Sequence, residues 1–103
     1  MGANNTRGAW AEDMALAFAL KQGLIEVARN FHCRYGEIDL ILNDGDTLVF
    51  AEVRYRAAGA LVSPIQSITA AKQRRLLASA EYYLQRRGEN DQCQCRFDVL
   101  AVS

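Results

Sequence analysis

The segment from Gly36 to Arg56 reads GEIDLILNDGDTLVFAEVRYR, and its alternation decides the fold. Between Glu37 and Asn43, the residues Ile38, Leu40 and Leu42 take every second position, as a half-buried strand requires. Asp44-Gly45 then breaks the run with two residues that tolerate the positive φ of a type I′ hairpin turn. From Thr47 to Arg56 the alternation resumes, with Val49, Ala51, Val53 and Tyr55 on one side and Leu48, Phe50, Glu52, Arg54 and Arg56 on the other. Taking Asp44-Gly45 as the two-residue loop sets Asn43 against Asp46, Leu42 against Thr47 and Glu37 against Glu52. Paired residues share a face. One face of the hairpin is then a core surface of Ile38, Leu40, Leu42, Val49, Ala51 and Val53, and the other gathers Glu37, Asp39, Glu52 and Arg54.

Working outward, Leu24 to Cys33 reads as a first strand of irregular pattern, turned by Tyr35-Gly36 into the hairpin. Ahead of it, Asn5 or Thr6 caps a helix running to Gln22, with Gly23 as its stop. Trp10, Met14, Ala17 and Phe18 recur at helical spacing and are expected to face the core, with Glu12, Ala15 or Leu16, and Ala19 on a neighbouring stripe. After the hairpin, Ala57 to Ser67 reads as a loop holding the sole proline, Pro64. A second helix starts at Ser67 or Thr69 and runs to Arg87, with Ile68, Leu76 or Leu77, Ala80 and Leu84 as its apolar face. A last strand spans Arg96 to Val102. The order is α-β-β-β-α-β. A helix joins the third and fourth strands, which permits a parallel, right-handed crossover. The fold class expected is α/β, a mixed sheet flanked by helices.

At 103 residues the chain fits one domain, 1–103, and half its residues are hydrophobic, so most apolar side chains are needed for one modest core. No apolar run is long enough to cross a bilayer, and the first residues carry no signal-like stretch. Three cysteines, Cys33, Cys93 and Cys95, lack the CxxC spacing of a zinc site, and His32 reads as a surface residue at a strand end. Free thiols and a cytoplasmic location are expected. The net charge is zero but uneven: residues 1–52 carry four basic against eight acidic groups, and residues 53–103 eight against four. Acidic and basic regions on one small protein suit a site that holds a cation beside a polyanion, and suit two ordinary solvated surfaces as well.

The acidic end of the hairpin carries the chemistry. Like charges directly opposite on a sheet are unfavourable. Carboxylates converging there are what a hard divalent cation requires, since Mg²⁺ takes one or two carboxylates and completes its shell with water and phosphate. A solvated acidic patch balanced by Arg34, Arg54 and Arg56 is the competing reading.

The pair of segments Gly36-Glu37-Ile38-Asp39-Leu40-Ile41 and Phe50-Ala51-Glu52-Val53-Arg54-Tyr55-Arg56 resembles the YraN family of small bacterial proteins. The resemblance extends through Gly8 and Glu12, Arg29-Asn30-Phe31, Lys72-Gln73-Arg74-Arg75 and Arg96-Phe97-Asp98-Val99. That family is similar to the PD-(D/E)xK nucleases and the archaeal Holliday-junction resolvases, whose restriction-endonuclease-like core has the same αβββαβ order. The resemblance implies that Asp39 and Glu52 are metal carboxylates and that the Val53 carbonyl is a third ligand, for Mg²⁺ or Mn²⁺. It implies that Glu12 is directed at the same site, beside Glu37. Lys72 and Gln73 match a helix position aimed at substrate phosphate, and with Arg56, Arg74 and Arg75 they form the expected nucleic-acid-binding set. Arg54 stands where the nucleases carry lysine. Arginine stays protonated and cannot serve as a base, although it can clamp a developing phosphate charge. The cation, not a side chain, then has to generate the nucleophile.

Three functions follow as expectations. The first is a metal-dependent nuclease acting on DNA, at branched structures by analogy with the resolvases, and as a homodimer by the same analogy. The second is a non-catalytic nucleic-acid-binding module on the same fold. The third is a protein-interaction domain whose acidic site is vestigial.

Overall fold

A computed structural model describes residues 7–55, 61–63, 68–88 and 93–102. Helix α1 spans Arg7–Lys21, followed by strands β1 (Ile25–Cys33), β2 (Gly36–Asp44) and β3 (Thr47–Tyr55). A short strand β4 (Leu61–Ser63), helix α2 (Ala70–Arg87) and strand β5 (Cys95–Val102) complete the order. The strands form one mixed sheet in the order β1-β2-β3-β5-β4. β1, β2 and β3 are an antiparallel meander, β3 runs parallel to β5, and β4 lies antiparallel on the far side of β5. The fold is therefore the expected α/β class. The difference is β4, which occupies part of the segment read as a loop. The proposed cap at Asn5 or Thr6 lies outside the described residues.

The hairpin register differs from the expected one by two residues. Asp44 pairs with Thr47, Leu42 with Val49 and Leu40 with Ala51. The loop is thus Gly45-Asp46. Gly45 has φ 61°, and Asp46 is not among the positive-φ residues. Glycine alone at the first loop position is the requirement of a type II′ turn, whereas type I′ needs positive φ at both. A shift of two leaves each side chain on its face of β3, so the turn type differs from the expected one while the β3 core stays where the alternation places it.

Both faces of the sheet are buried. Against α1 pack Leu40, Leu42, Val49, Ala51, Leu100 and Val102, with Val53 at the margin. Against α2 pack Ile38, Ile41, Leu48 and Phe50, together with Leu76, Ala80 and Tyr83. Ile38 is therefore not on the face of Leu40, as strict alternation predicts. The cause lies next door. Arg29 pairs with Leu40 and Phe31 with Ile38, and between these pairs sit Asn30 and Asp39. Asn30 has φ 52°, a left-handed conformation that asparagine tolerates better than most residues. Arg29 reaches Asp13 on α1, while Phe31 packs edge-on against Tyr83 of α2. The β1–β2 ribbon turns over at Asn30, and Asp39 sits at the point of inversion.

Helix α1 docks through Ala11, Ala15 and Ala19, which are essentially fully buried. This corrects the expected face: Trp10 is 42% and Met14 45% exposed. Small residues let the helix backbone approach the sheet closely, so the bulky stripe is turned outward, where Trp10 meets the Tyr55 ring edge-on at 6.0 Å. Helix α2 buries Leu76, Ser79, Ala80 and Tyr83, with Leu77 exposed. Thr69 caps it by accepting from the Lys72 N–H at 3.1 Å. No helix among the described residues is long and apolar enough to cross a membrane.

Candidate functional site

The start of β2, the end of β3 and the N-terminal halves of both helices enclose a cleft of about 480 Å³. Glu12 reaches it from α1, Glu37 and Asp39 from β2, Glu52, Val53 and Tyr55 from β3, and Lys72 and Arg75 from α2. These carboxylates do not own a whole sheet face, because Phe50 and Leu48 bury the rest of theirs under α2. They occupy only the end of the sheet, where strand pairing gives way to side-chain contacts.

Asp39 is central. It is only 8% exposed, and one carboxylate oxygen accepts a 2.8 Å hydrogen bond from the Val53 backbone N–H. Among the described residues it has no cationic partner. Burial pushes its carboxyl up to about 7; the Val53 N–H opposes the rise, and the charges of Glu52, Glu12 and Glu37 add to it. An aspartic acid poised near neutrality in a cleft is uncommon outside sites that bind or transfer something.

Two of the neighbouring acids are compensated. Glu52 accepts a 2.7 Å hydrogen bond from the Lys72 ammonium, and Glu12 lies 3.6 Å from the Arg29 guanidinium, which Asp13 also holds at 2.8 Å. Glu37 lies 3.1 Å from the His32 imidazole on the outer side. The cleft therefore contains one buried carboxyl without a counter-charge, Asp39, beside a second carboxylate that a lysine holds in place.

Of the residues expected at the site, Glu12, Glu37, Asp39, Glu52, Val53, Lys72 and Arg75 are brought together. Arg54 is exposed and does not line the cleft, whose basic side chains are Lys72 and Arg75 of α2. Arg74 is likewise outside. Gln73 is turned back to donate to the Ile68 carbonyl at 3.0 Å, a local contact at the helix start. Arg56 lies outside the described residues. The i, i+3 spacing of Lys72 and Arg75 carried the signal separating them from Arg74, since residues three apart share a helix face. Tyr55 as a cleft wall had no signal in its spacing alone.

Among the described residues no group of three or more His, Cys, Asp or Glu side chains forms a ready metal cage. Cys33, Cys93 and Cys95 are all free thiols; Cys93 and Cys95 lie 3.9 Å apart, and Cys33 meets Ser79.

Residues 11–102 match the family described as "Uncharacterised protein family UPF0102". The chain belongs to the UPF0102 family. This is the YraN family named above for its motifs. A UPF0102 protein of Nitrosococcus oceani is 50% identical over 97 residues, covering 94% of this chain and 78% of its own length. One of Psychromonas ingrahamii is 46% identical, covering 97% of this chain and 80% of its own. One of Saccharophagus degradans is 40% identical across the whole of this chain and 87% of its own. The stretch matched by the UPF0102 family runs from α1 to β5 and so includes every described residue of the cleft.

Proposed function

We propose that this UPF0102 protein is a cytoplasmic, metal-dependent nuclease-type protein that binds nucleic acid, DNA in the first instance, and cleaves its phosphodiester bonds at this cleft. The observation that supports it best is Asp39: a buried, uncompensated carboxyl beside Glu52, with Lys72 and Arg75 on the facing wall. The donors are hard oxygen atoms, and two carboxylates with a backbone carbonyl suit Mg²⁺ or Mn²⁺, which fill their remaining positions with water and phosphate. Asp39, Glu52 and the Val53 carbonyl would hold the ion. When bound, it supplies Lewis-acid polarisation of the phosphate and lowers the pKa of water.

The chain's own groups supply the rest. The Val53 N–H fixes the orientation of the Asp39 carboxylate. Glu12 and Glu37 add negative potential that draws a cation in, and the anchoring of Glu12 by Arg29 keeps it from swinging into Asp39's place. Lys72 sits where the phosphate of a bound strand would pass, and can exchange Glu52 for a phosphate oxygen as the site fills. Arg75 offers a second, bidentate contact on the same wall. No lysine at position 54 is needed for this, because Lys72 delivers its ammonium from α2.

Calorimetric titration of the protein with Mn²⁺, wild type against Asp39→Asn, tests the reading, followed by cleavage of duplex and branched DNA. Saturable binding lost in the variant is expected, with any cleavage lost alongside. Equal binding by both proteins would remove the metal site. The exposed position of Arg54, off the cleft, favours one alternative, a non-catalytic nucleic-acid-binding module; it predicts DNA binding that persists in chelator with no cleavage in Mn²⁺.

A further inference from the structure

We propose that one stripe of α2, together with the turn between β1 and β2, forms a track that carries a single nucleic-acid strand away from the cleft. Lys72, Arg75, Tyr82 and Arg86 follow one another along one side of α2, with Ser79 between them buried beneath the β1–β2 turn, and the first two line the cleft. The β1–β2 turn lies against this stripe. A Cβ on Gly36, whose φ is 143°, would stand 3.5 Å from the Ser79 hydroxyl and 3.6 Å from the Arg75 Cβ. The turn therefore delivers its neighbours Arg34 and Tyr35 onto the helix. The Tyr35 ring meets Tyr82 edge-on at 5.9 Å. The Arg34 guanidinium lies 4.9 Å over the Tyr35 ring and donates to its hydroxyl at 2.8 Å, and the Arg86 guanidinium lies 5.7 Å over Tyr82.

Two features separate this stripe from an ordinary solvated helix face. First, its arginines are unneutralised. Among the described residues, Arg29, Arg96 and Lys72 each hold a carboxylate, whereas Arg34, Arg75 and Arg86 have none within ion-pair distance. Second, cations alternate with aromatic rings, of which Tyr35 is 38% exposed and Tyr82 is half-buried against Phe31. Each guanidinium spends an N–H on its tyrosine hydroxyl and has further N–H groups to offer a phosphate. Basic groups tracking a backbone, interleaved with rings on which bases stack, are the usual means of holding a single strand without sequence preference. From Lys72 to Arg86 the helix rises about 21 Å at 1.5 Å per residue. That matches about six phosphates at the 3.4 Å spacing of one stacked strand.

The track rests on the nucleic-acid reading of the cleft for its starting point, but not on a metal. The test is therefore made in chelator. A labelled oligothymidylate is titrated with wild type, Arg34→Glu/Arg86→Glu, Tyr35→Ala and Lys21→Gln, by fluorescence anisotropy at several salt concentrations, with polyglutamate as a base-free competitor. The charge-reversal variant is expected to bind about tenfold or more weakly with a salt slope reduced by about two. Tyr35→Ala is expected to bind about fivefold or more weakly with an unchanged slope, because stacking releases no counterions. Lys21→Gln, on the helix that covers the other face of the sheet, binds as wild type. Arg34→Gln/Arg86→Gln replaces the charge reversal if circular dichroism shows the latter to be unfolded, with the same weakening expected. Wild-type affinity in the arginine variants overturns the track, as does displacement by polyglutamate as effective as by unlabelled oligonucleotide, which would make it a general acidic-ligand surface. Failure of wild type to bind the oligonucleotide, with Mn²⁺ still bound at Asp39, overturns the track and leaves the metal site standing. Track binding with no metal uptake does the reverse.

Discussion

The Asp39 carboxylate accepts a 2.8 Å hydrogen bond from the Val53 backbone N–H, across a pair of strands whose backbone pairing runs only as far as Leu40 and Ala51. A side chain thus takes over where the ladder stops. The bond holds one oxygen of a buried acid while leaving its charge without a counter-ion. That tension makes the site measurable through stability as well as activity.

The pH dependence follows from the carboxyl held at about 7 in the folded chain against its ordinary 3.8. Between these values the folded state binds the extra proton, so stability falls as pH rises through the window, and the full penalty is present above about pH 7. A shift of about three units bounds that penalty at about 4 kcal/mol, less whatever water entering the cleft screens. Asp39→Asn retains an acceptor for the Val53 N–H and carries no charge. In chelator it is expected to be about 1–3 kcal/mol more stable than wild type above pH 7, and near parity at pH 4. Urea midpoints at the two pH values check this. A less stable variant at the higher pH would make Asp39 a structural acceptor.

Lys72 separates metal binding from phosphate contact. Its ammonium is half exposed, so losing the pair with Glu52 is expected to change stability by no more than about 1 kcal/mol. Lys72→Gln nevertheless frees Glu52 and removes a positive charge from the cleft. Mn²⁺ is then expected to bind about threefold or more tightly, while any cleavage rate falls. Weaker metal binding in the variant would show that Lys72 organises the ligands.

Helix α1 offers a contrast between two residues on neighbouring stripes. Trp10→Ala removes a large side chain that is 42% exposed and is expected to cost about 1 kcal/mol, below the usual range for a buried tryptophan. Ala15→Leu adds bulk at a fully buried position and is expected to cost about 1–3 kcal/mol or more by pushing the helix off the sheet. Chemical denaturation of the two variants ranks them. The reverse order would restore Trp10 to the core.

Period-two alternation located β2 and β3, because that signal is local, and it put Asp39 and Glu52 on adjoining strands, whereas Lys72 came in only with the family resemblance. What stayed hidden depends on contacts made elsewhere. Gly45-Asp46 and Asp44-Gly45 are both acceptable turns by composition, and only the packing of Leu40 against Ala51 selects the first. On α1, apolar size pointed to Trp10 and Met14, but the distance at which a helix can approach the sheet favours the alanines. That Arg54 stays out of the cleft while Tyr55 lines it is a tertiary placement that no spacing within β3 encodes. The inversion at Asn30 was visible only as an irregular strand.

That inversion yields the last prediction. Asn30 is exposed, so its side chain adds little packing, yet its φ of 52° turns the ribbon so that Ile38 and Leu40 serve opposite faces with Asp39 between them. Asn30→Gly accepts this conformation and is expected to leave stability within about 0.5 kcal/mol and Mn²⁺ binding unchanged. Asn30→Val resists it and is expected to cost about 1–2 kcal/mol, since β-branched residues are strained at positive φ. If the strand relaxes instead of storing that strain, Asp39 leaves the Val53 N–H, and metal affinity falls although no cleft residue has changed. Thermal melts together with Mn²⁺ titration read the two effects separately. A valine variant with wild-type stability and wild-type metal affinity would mean that the turnover of the ribbon is not what sets Asp39 in the cleft.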